Sequence, residues 1–143
     1  MSGVVIDDEV KNLVDYIRTL HEGDHVDHST VETIIKYKRP PTRDMTYYRI
    51  VSRTKVILFR KYNIVIINVP GFGYKIITNP ERIIEARQEG KKGIKYIRFG
   101  KRLLDSVDST KINAKQEEVR SFITSIYNKA IKLFTESTFK SKY

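Results

Sequence analysis

The chain contains no cysteine, which removes disulfides, thiolate metal sites and a cysteine nucleophile together and suits a reducing cytoplasm. No apolar run approaches the ~18 residues that would cross a bilayer, so no membrane segment is expected. The stretch from Met1 to Asp8 has neither a basic region nor a long apolar one, so no secretory signal is expected either. Internal repeats and low-complexity tracts are missing. Catalytic patterns are equally scarce. His21, His25 and His28 lie close together near Asp24 and Asp27, yet no H-E-x-x-H or comparable ligand spacing accompanies them. They read as surface histidines around a helix turn. No Ser-His-Asp arrangement or paired-carboxylate pattern stands out. The expectation is a non-enzymatic protein with no metal, no cofactor and no small-molecule substrate.

What is present is positive charge, unevenly placed. The 143 residues carry a net charge of +10. Residues 1–35 hold two bases, Lys11 and Arg18, against eight acids, a net of −6, so the remainder carries +16. Segregation of this kind produces a positive face, and polyanions are its commonest partners. With hydrophobic residues at 40%, the chain can also build a core rather than remain disordered.

Apolar periodicity supplies the elements. Val10, Leu13, Val14, Ile17 and Leu20 recur every three or four residues and predict a helix over 8–21. A short extended piece, His25-Val26-Asp27, precedes a second helix over 29–38, with Ser29 and Glu32 at capping-box spacing. Pro40-Pro41 makes a stiff turn. A third helix is predicted over 44–62, with Tyr47, Ile50, Val51, Thr54, Ile57 and Leu58 inward. The period then changes. Residues 64–69 and 74–78 read as strands around the turn Pro70-Gly71-Phe72-Gly73. Asn79-Pro80 starts a further helical stretch to about Val107, either one imperfect helix or two short ones because of Gly90, Gly93 and Gly100. Asn113 caps a last helix with a continuous apolar stripe from Val119 to Phe134.

Two constellations point to nucleic acid. Residues 39–62 hold seven bases (Arg39, Arg43, Arg49, Arg53, Lys55, Arg60 and Lys61) and one acid, Asp44. Arginine predominates, the side chain able to grip phosphate or a guanine edge with two hydrogen bonds. Lys91, Lys95, Arg98 and Arg102 follow at offsets of four, three and four, one stripe on a helix. Like charges so placed repel by roughly 0.2–0.5 kcal/mol per pair, a cost that a bound polyanion removes.

The segment Ile67-Asn68-Val69-Pro70-Gly71-Phe72-Gly73-Tyr74-Lys75-Ile76 resembles the C-terminal wing of the OmpR/PhoB-type winged helix, and the arginine-rich helix before it stands in the matching order. The resemblance covers residues 8–78. It implies that the third helix enters the major groove and the wing reaches toward the minor groove. Arg49, Ser52 and Arg53 then become groove or phosphate contacts and Lys75 a wing contact, with Arg43, Tyr48 and Arg60 beside them. Two features depart from that family: Pro70 stands where a base often precedes the first glycine, and no receiver domain or phosphorelay input is expected.

The expected architecture is therefore mainly α with a small β-hairpin wing: a winged helix-turn-helix over 8–78, a basic helical extension over 79–135 and a tail over 136–143. The expected partner is duplex DNA ahead of RNA, in transcription regulation or DNA organisation, in the cytoplasm of a cell or of a virus's or mobile element's host. A homodimer through the 113–135 helix is expected too. A protein-binding adaptor on the same scaffold is the alternative of a different class.

Overall fold

The structure is a computed structural model that describes residues 5–40 and 44–136. Arg43, Pro41 and the tail from 137 onward lie outside the described residues. The described chain is mainly helical with one small three-stranded antiparallel sheet, and its elements run α1 (Asp7–Ile17), β1 (His25–Asp27), α2 (His28–Ile35), α3 (Thr46–Tyr62), β2 (Ile66–Val69), β3 (Gly73–Ile76), α4 (Asn79–Asp105) and α5 (Ala114–Glu136). A 3-10 turn at Ser109–Lys111 lies between α4 and α5. The chain divides between Arg82 and Ile83 into two compact units, four residues beyond the expected boundary.

In the first unit, α1 begins with Asp7, Asp8 and Glu9, where the helix dipole favours negative charge, and buries Val10, Leu13, Val14 and Ile17. The extended piece forms as expected and joins the hairpin, giving the strand order β1-β3-β2. Tyr74 stands at the centre, opposite Val26 on one side and Asn68 on the other. Both pairings turn the side chains of Tyr74 and Val26 into the core, with Tyr47, Ile50 and Leu58 of α3 and Val31 and Ile35 of α2. This is one contiguous apolar cluster, the unit of stabilisation for a small domain.

The hairpin turn has a local cause. Pro70 pre-sets its backbone, Gly71 takes φ +75°, and the Phe72 N–H donates to Val69 O at 3.1 Å, the pattern of a type II turn. Gly73 is required for a different reason. A Cβ there would lie 2.2 Å from Val26 O and 2.8 Å from Asp27 Cα, so only glycine lets β1 close on β3.

Helix starts differ from the sequence expectation at two places. Asp27, not Ser29, caps α2: the Thr30 N–H donates to Asp27 Oδ1 at 2.7 Å, and the Ser29 hydroxyl bonds to the same oxygen. Glu32 instead accepts the Arg39 N–H at 3.0 Å, tying down the chain beyond the helix. Asp27 wins because β1 ends there in extended backbone, the conformation an N-cap needs. At α4, Asn79 is already helical, and Glu81 reaches back to Thr78, its Oε2 accepting the Thr78 N–H at 2.8 Å and the Thr78 hydroxyl at 3.0 Å.

The second unit is built from the rest of α4 and from α5. The glycines do not break α4, which runs unbroken through Gly90, Gly93 and Gly100. Gly100 has a structural use, because a Cβ there would meet the Tyr127 ring at 2.8 Å. Asn113 caps α5 as expected, its Oδ1 accepting the Gln116 N–H at 2.8 Å while Gln116 returns a bond at 3.0 Å. The expected inward stripe of α5 is only half inward. Ile123, Ala130 and Phe134 are half-buried, but Val119, Phe122, Ile126 and Leu133 are exposed. Among the described residues of this unit only Ile94 is buried.

Candidate nucleic-acid interface

The exposed side of α3 is set by what the other side must bury. Thr46, Tyr47, Ile50, Val51, Thr54 and Leu58 face the core, and the Thr54 hydroxyl satisfies itself on Ile50 O at 2.8 Å. The turns between are left to solvent: Tyr48, Arg49, Ser52, Arg53 and Arg60 are all exposed. No acid occurs within α3, so every charge the helix itself presents is positive. Tyr48 is held edge-on to Tyr47, ring centroids 5.2 Å apart.

Tertiary contacts divide the predicted cations into free and engaged. Arg49 and Arg60 are exposed, while Arg53 pairs with Asp7 of α1 at 3.0 Å. Both Arg53 and Asp7 are more than half exposed, so this pair is weak and a phosphate could replace the carboxylate. Lys55 is withdrawn further. Its Nζ donates to Asn68 Oδ1 at 2.6 Å, it lies 5.3 Å from the Tyr74 ring centroid, and burial lowers its pKa. Lys75, the expected wing contact, is half-buried and bonded to Glu81. That lysine, with the Thr78 N–H, holds the Glu81 carboxyl down at about 2. Lys75 therefore fastens β3 to the start of α4 instead of pointing from the hairpin tip. The tip itself is apolar, with Phe72 exposed and edge-on to His25 at 5.8 Å.

Three exposed apolar residues on α3 were not foreseen: Met45 at its start, Val56 and Phe59. Their signal was present, since they fall out of phase with Tyr47, Ile50, Val51, Thr54 and Leu58. Met45, Tyr48, Arg49, Ser52 and Arg53 line one shallow depression, and Lys55, Val56, Phe59 and Arg60 line part of another. The α3 face thus alternates guanidinium groups with apolar contact surface.

In the second unit, Lys91, Lys95, Arg98 and Arg102 are all exposed on the unbroken helix. They form one stripe, as their offsets require at 3.6 residues per turn. Exposed aromatics accompany it, also unforeseen: Tyr96 and Phe99, with the Arg102 guanidinium 5.7 Å from the Phe99 ring centroid.

The histidines separate. His21 is exposed, whereas His28 is half-buried, its Nδ1 2.8 Å from the Tyr47 hydroxyl and its ring 5.3 Å from that of Tyr74. Burial lowers its pKa, and His28 is a packing residue. Among the described residues no group of three or more His, Asp or Glu side chains is placed to hold a metal ion. No helix among them is long and apolar enough to cross a membrane.

No protein family, no curated protein and no solved structure matches this chain.

Proposed function

We propose that the first unit is a winged helix-turn-helix that binds duplex DNA, with α3 as the helix entering the major groove. The observation that carries this reading is the exposed face of α3, where Arg49, Arg53 and Arg60 stand without an acid on the same helix. The element order and the strand order β1-β3-β2 support it, since they place a hairpin directly after that helix. Arginines suit phosphate oxygens and guanine edges, and Val56, Phe59 and Met45 suit thymine methyl groups. The α4 stripe adds phosphate contacts in the second unit, independent of sequence. The function is binding rather than catalysis, in regulating transcription or organising DNA.

The test is fluorescence anisotropy on duplex DNA, single-stranded DNA and RNA at two salt concentrations. Duplex should bind tightest, with affinity falling steeply as salt rises. Replacing Arg49 and Arg53 with alanine should cost about 1–3 kcal/mol for each arginine that reads a base edge. A folded double variant with unchanged duplex affinity refutes the reading.

A second reading, an adaptor that binds another protein through α3, is favoured by the exposure of Phe59 and Met45, 60% and 53%. It predicts no salt-dependent duplex binding.

A further inference from the structure

The α4–α5 unit leaves its apolar surface uncovered. Two long helices there bury one side chain between them among the described residues, Ile94. Besides Ile83, Ile84 and Leu133, six large apolar residues are about half exposed or more: Tyr96, Phe99 and Leu103 on α4, Val119, Phe122 and Ile126 on α5. On each helix these are spaced by three and four, a stripe distinct from the one that meets the other helix.

The two stripes share one side. The helices are antiparallel, since Gly100 meets Tyr127 and the Leu104 carbonyl accepts from Arg120. At about 100° per residue from that line of contact, Tyr96 and Leu103 turn to the same flank of the hairpin as Val119, Phe122 and Ile126, with Phe99 at its outer edge. Lys91 and Arg98 turn to the opposite flank, where α5 presents Ser121, Ser125 and Asn128, while Arg102 reaches over the Phe99 ring at the border and lines one depression with Lys95, Tyr96 and Phe99. One flank is thus apolar and the other basic and polar.

Gly93 supplies an independent sign. Glycine weakens a helix interior, and nothing lies within 4 Å of where its Cβ would be. Its own chain gives no reason for it. It sits between the α5 contact line and the Tyr96–Leu103 stripe, where a close-approaching helix of another molecule would need the room.

We propose that this flank binds the same flank of a second copy of the chain, forming a two-fold dimer through four helices, with Lys91 and Arg98 left outward and Lys95 and Arg102 at its border. A second copy fits better than a polyanion or a lipid surface for two reasons. The six side chains present on the order of 700 Å² per copy, close to the ~800 Å² per partner of a standard protein interface. The borders of the flank carry both signs, Glu85 and Glu118 with Lys115 and Lys129 beside the Glu89–Lys92 pair that α4 itself makes, and a self-complementary interface can pair them. This dimer does not depend on the DNA-binding reading.

Sedimentation equilibrium of the full chain, without nucleic acid and at micromolar concentration, tests it. The expected mass is twice that of one chain. Leu103→Glu with Phe122→Glu should raise the dissociation constant at least tenfold with helical circular dichroism unchanged, and Ser125→Glu on the other flank should leave it unaltered. Gly93→Leu strengthens the helix itself, so its loss of self-association could not come from unfolding. The chain also has no cysteine, so a single spin label at Ser121→Cys should report a dipolar coupling that only two copies can produce. A wild-type monomer, an assembly larger than a dimer, or a dimer indifferent to both Gly93→Leu and the double glutamate variant would overturn the proposal.

Discussion

Gly73 and Glu81 show how single residues hold the small sheet in place. A methyl group at Gly73 would press into the backbone of Val26 and Asp27, and backbone cannot rotate away as a side chain can. Gly73→Ala should therefore destabilise the first unit by about 1–3 kcal/mol, read from the denaturant midpoint. Unchanged stability would mean that β1 does not close on β3. Glu81 acts electrostatically. Its carboxyl titrates at about 2 in the fold against an ordinary 4.5, chiefly because Lys75 and the Thr78 N–H bond to it. A depressed folded pKa means that the unfolded chain binds the proton first as acid is added. The stabilisation is thus complete above 4.5 and is lost as pH falls toward 2. Denaturation midpoints of wild type and Glu81→Gln should differ near neutrality and converge across that window. A constant gap would show that the carboxylate charge is not involved.

At the scale of elements, α3 and α4 carry similar charge for different structural reasons. One side of α3 is tightly buried, so its cations are confined to the remaining arc and share it with Met45, Val56 and Phe59. That mixture suits discrimination among base edges. The α4 stripe lies on an unbroken helix with all four bases exposed, an array suited to phosphates. If each of Lys91, Lys95, Arg98 and Arg102 neutralises one phosphate, a quadruple alanine variant should flatten the log–log salt slope of duplex binding by about 3–4. The affinity loss should be similar on every DNA sequence, whereas Arg49 and Arg53 variants should change relative preference between sequences. A folded quadruple variant with the parental slope would show that the stripe touches no phosphate.

Across the whole molecule, the balance of charge and the burial of apolar surface differ between the units. Residues 83–143 carry 14 bases and 7 acids, while the acidic α1 belongs to the first unit. The first unit has a contiguous core; the second, among its described residues, has one buried side chain and a long apolar flank. The first has the contiguous core of an independent domain, and the second would complete its core in the proposed dimer.

Much of this was written locally. The period of Val10 to Ile17, the change of period after Asn63, the Pro70-Gly71 turn and the Asn113 cap depend on neighbours within a few residues, and so could be read in order along the chain. The same holds for the one-signed composition of α3 and for the α4 stripe. What the sequence by itself could not determine is which groups remain available. Arg53 meets Asp7 and Lys75 meets Glu81, while Lys55 turns toward Asn68 and Tyr74. Asp27 displaced Ser29 as a cap because β1 ends at that residue. Periodicity shows that a helix has an apolar stripe but not which half of it a neighbour covers, and that is how Phe122 and Ile126 came to be exposed. Helix and turn formation are decided by bonds that span three or four residues. The Arg53–Asp7 pair, the Lys55–Asn68 bond and the burial of each helix face are decided by the approach of segments far apart in sequence, and only tertiary packing sets those distances.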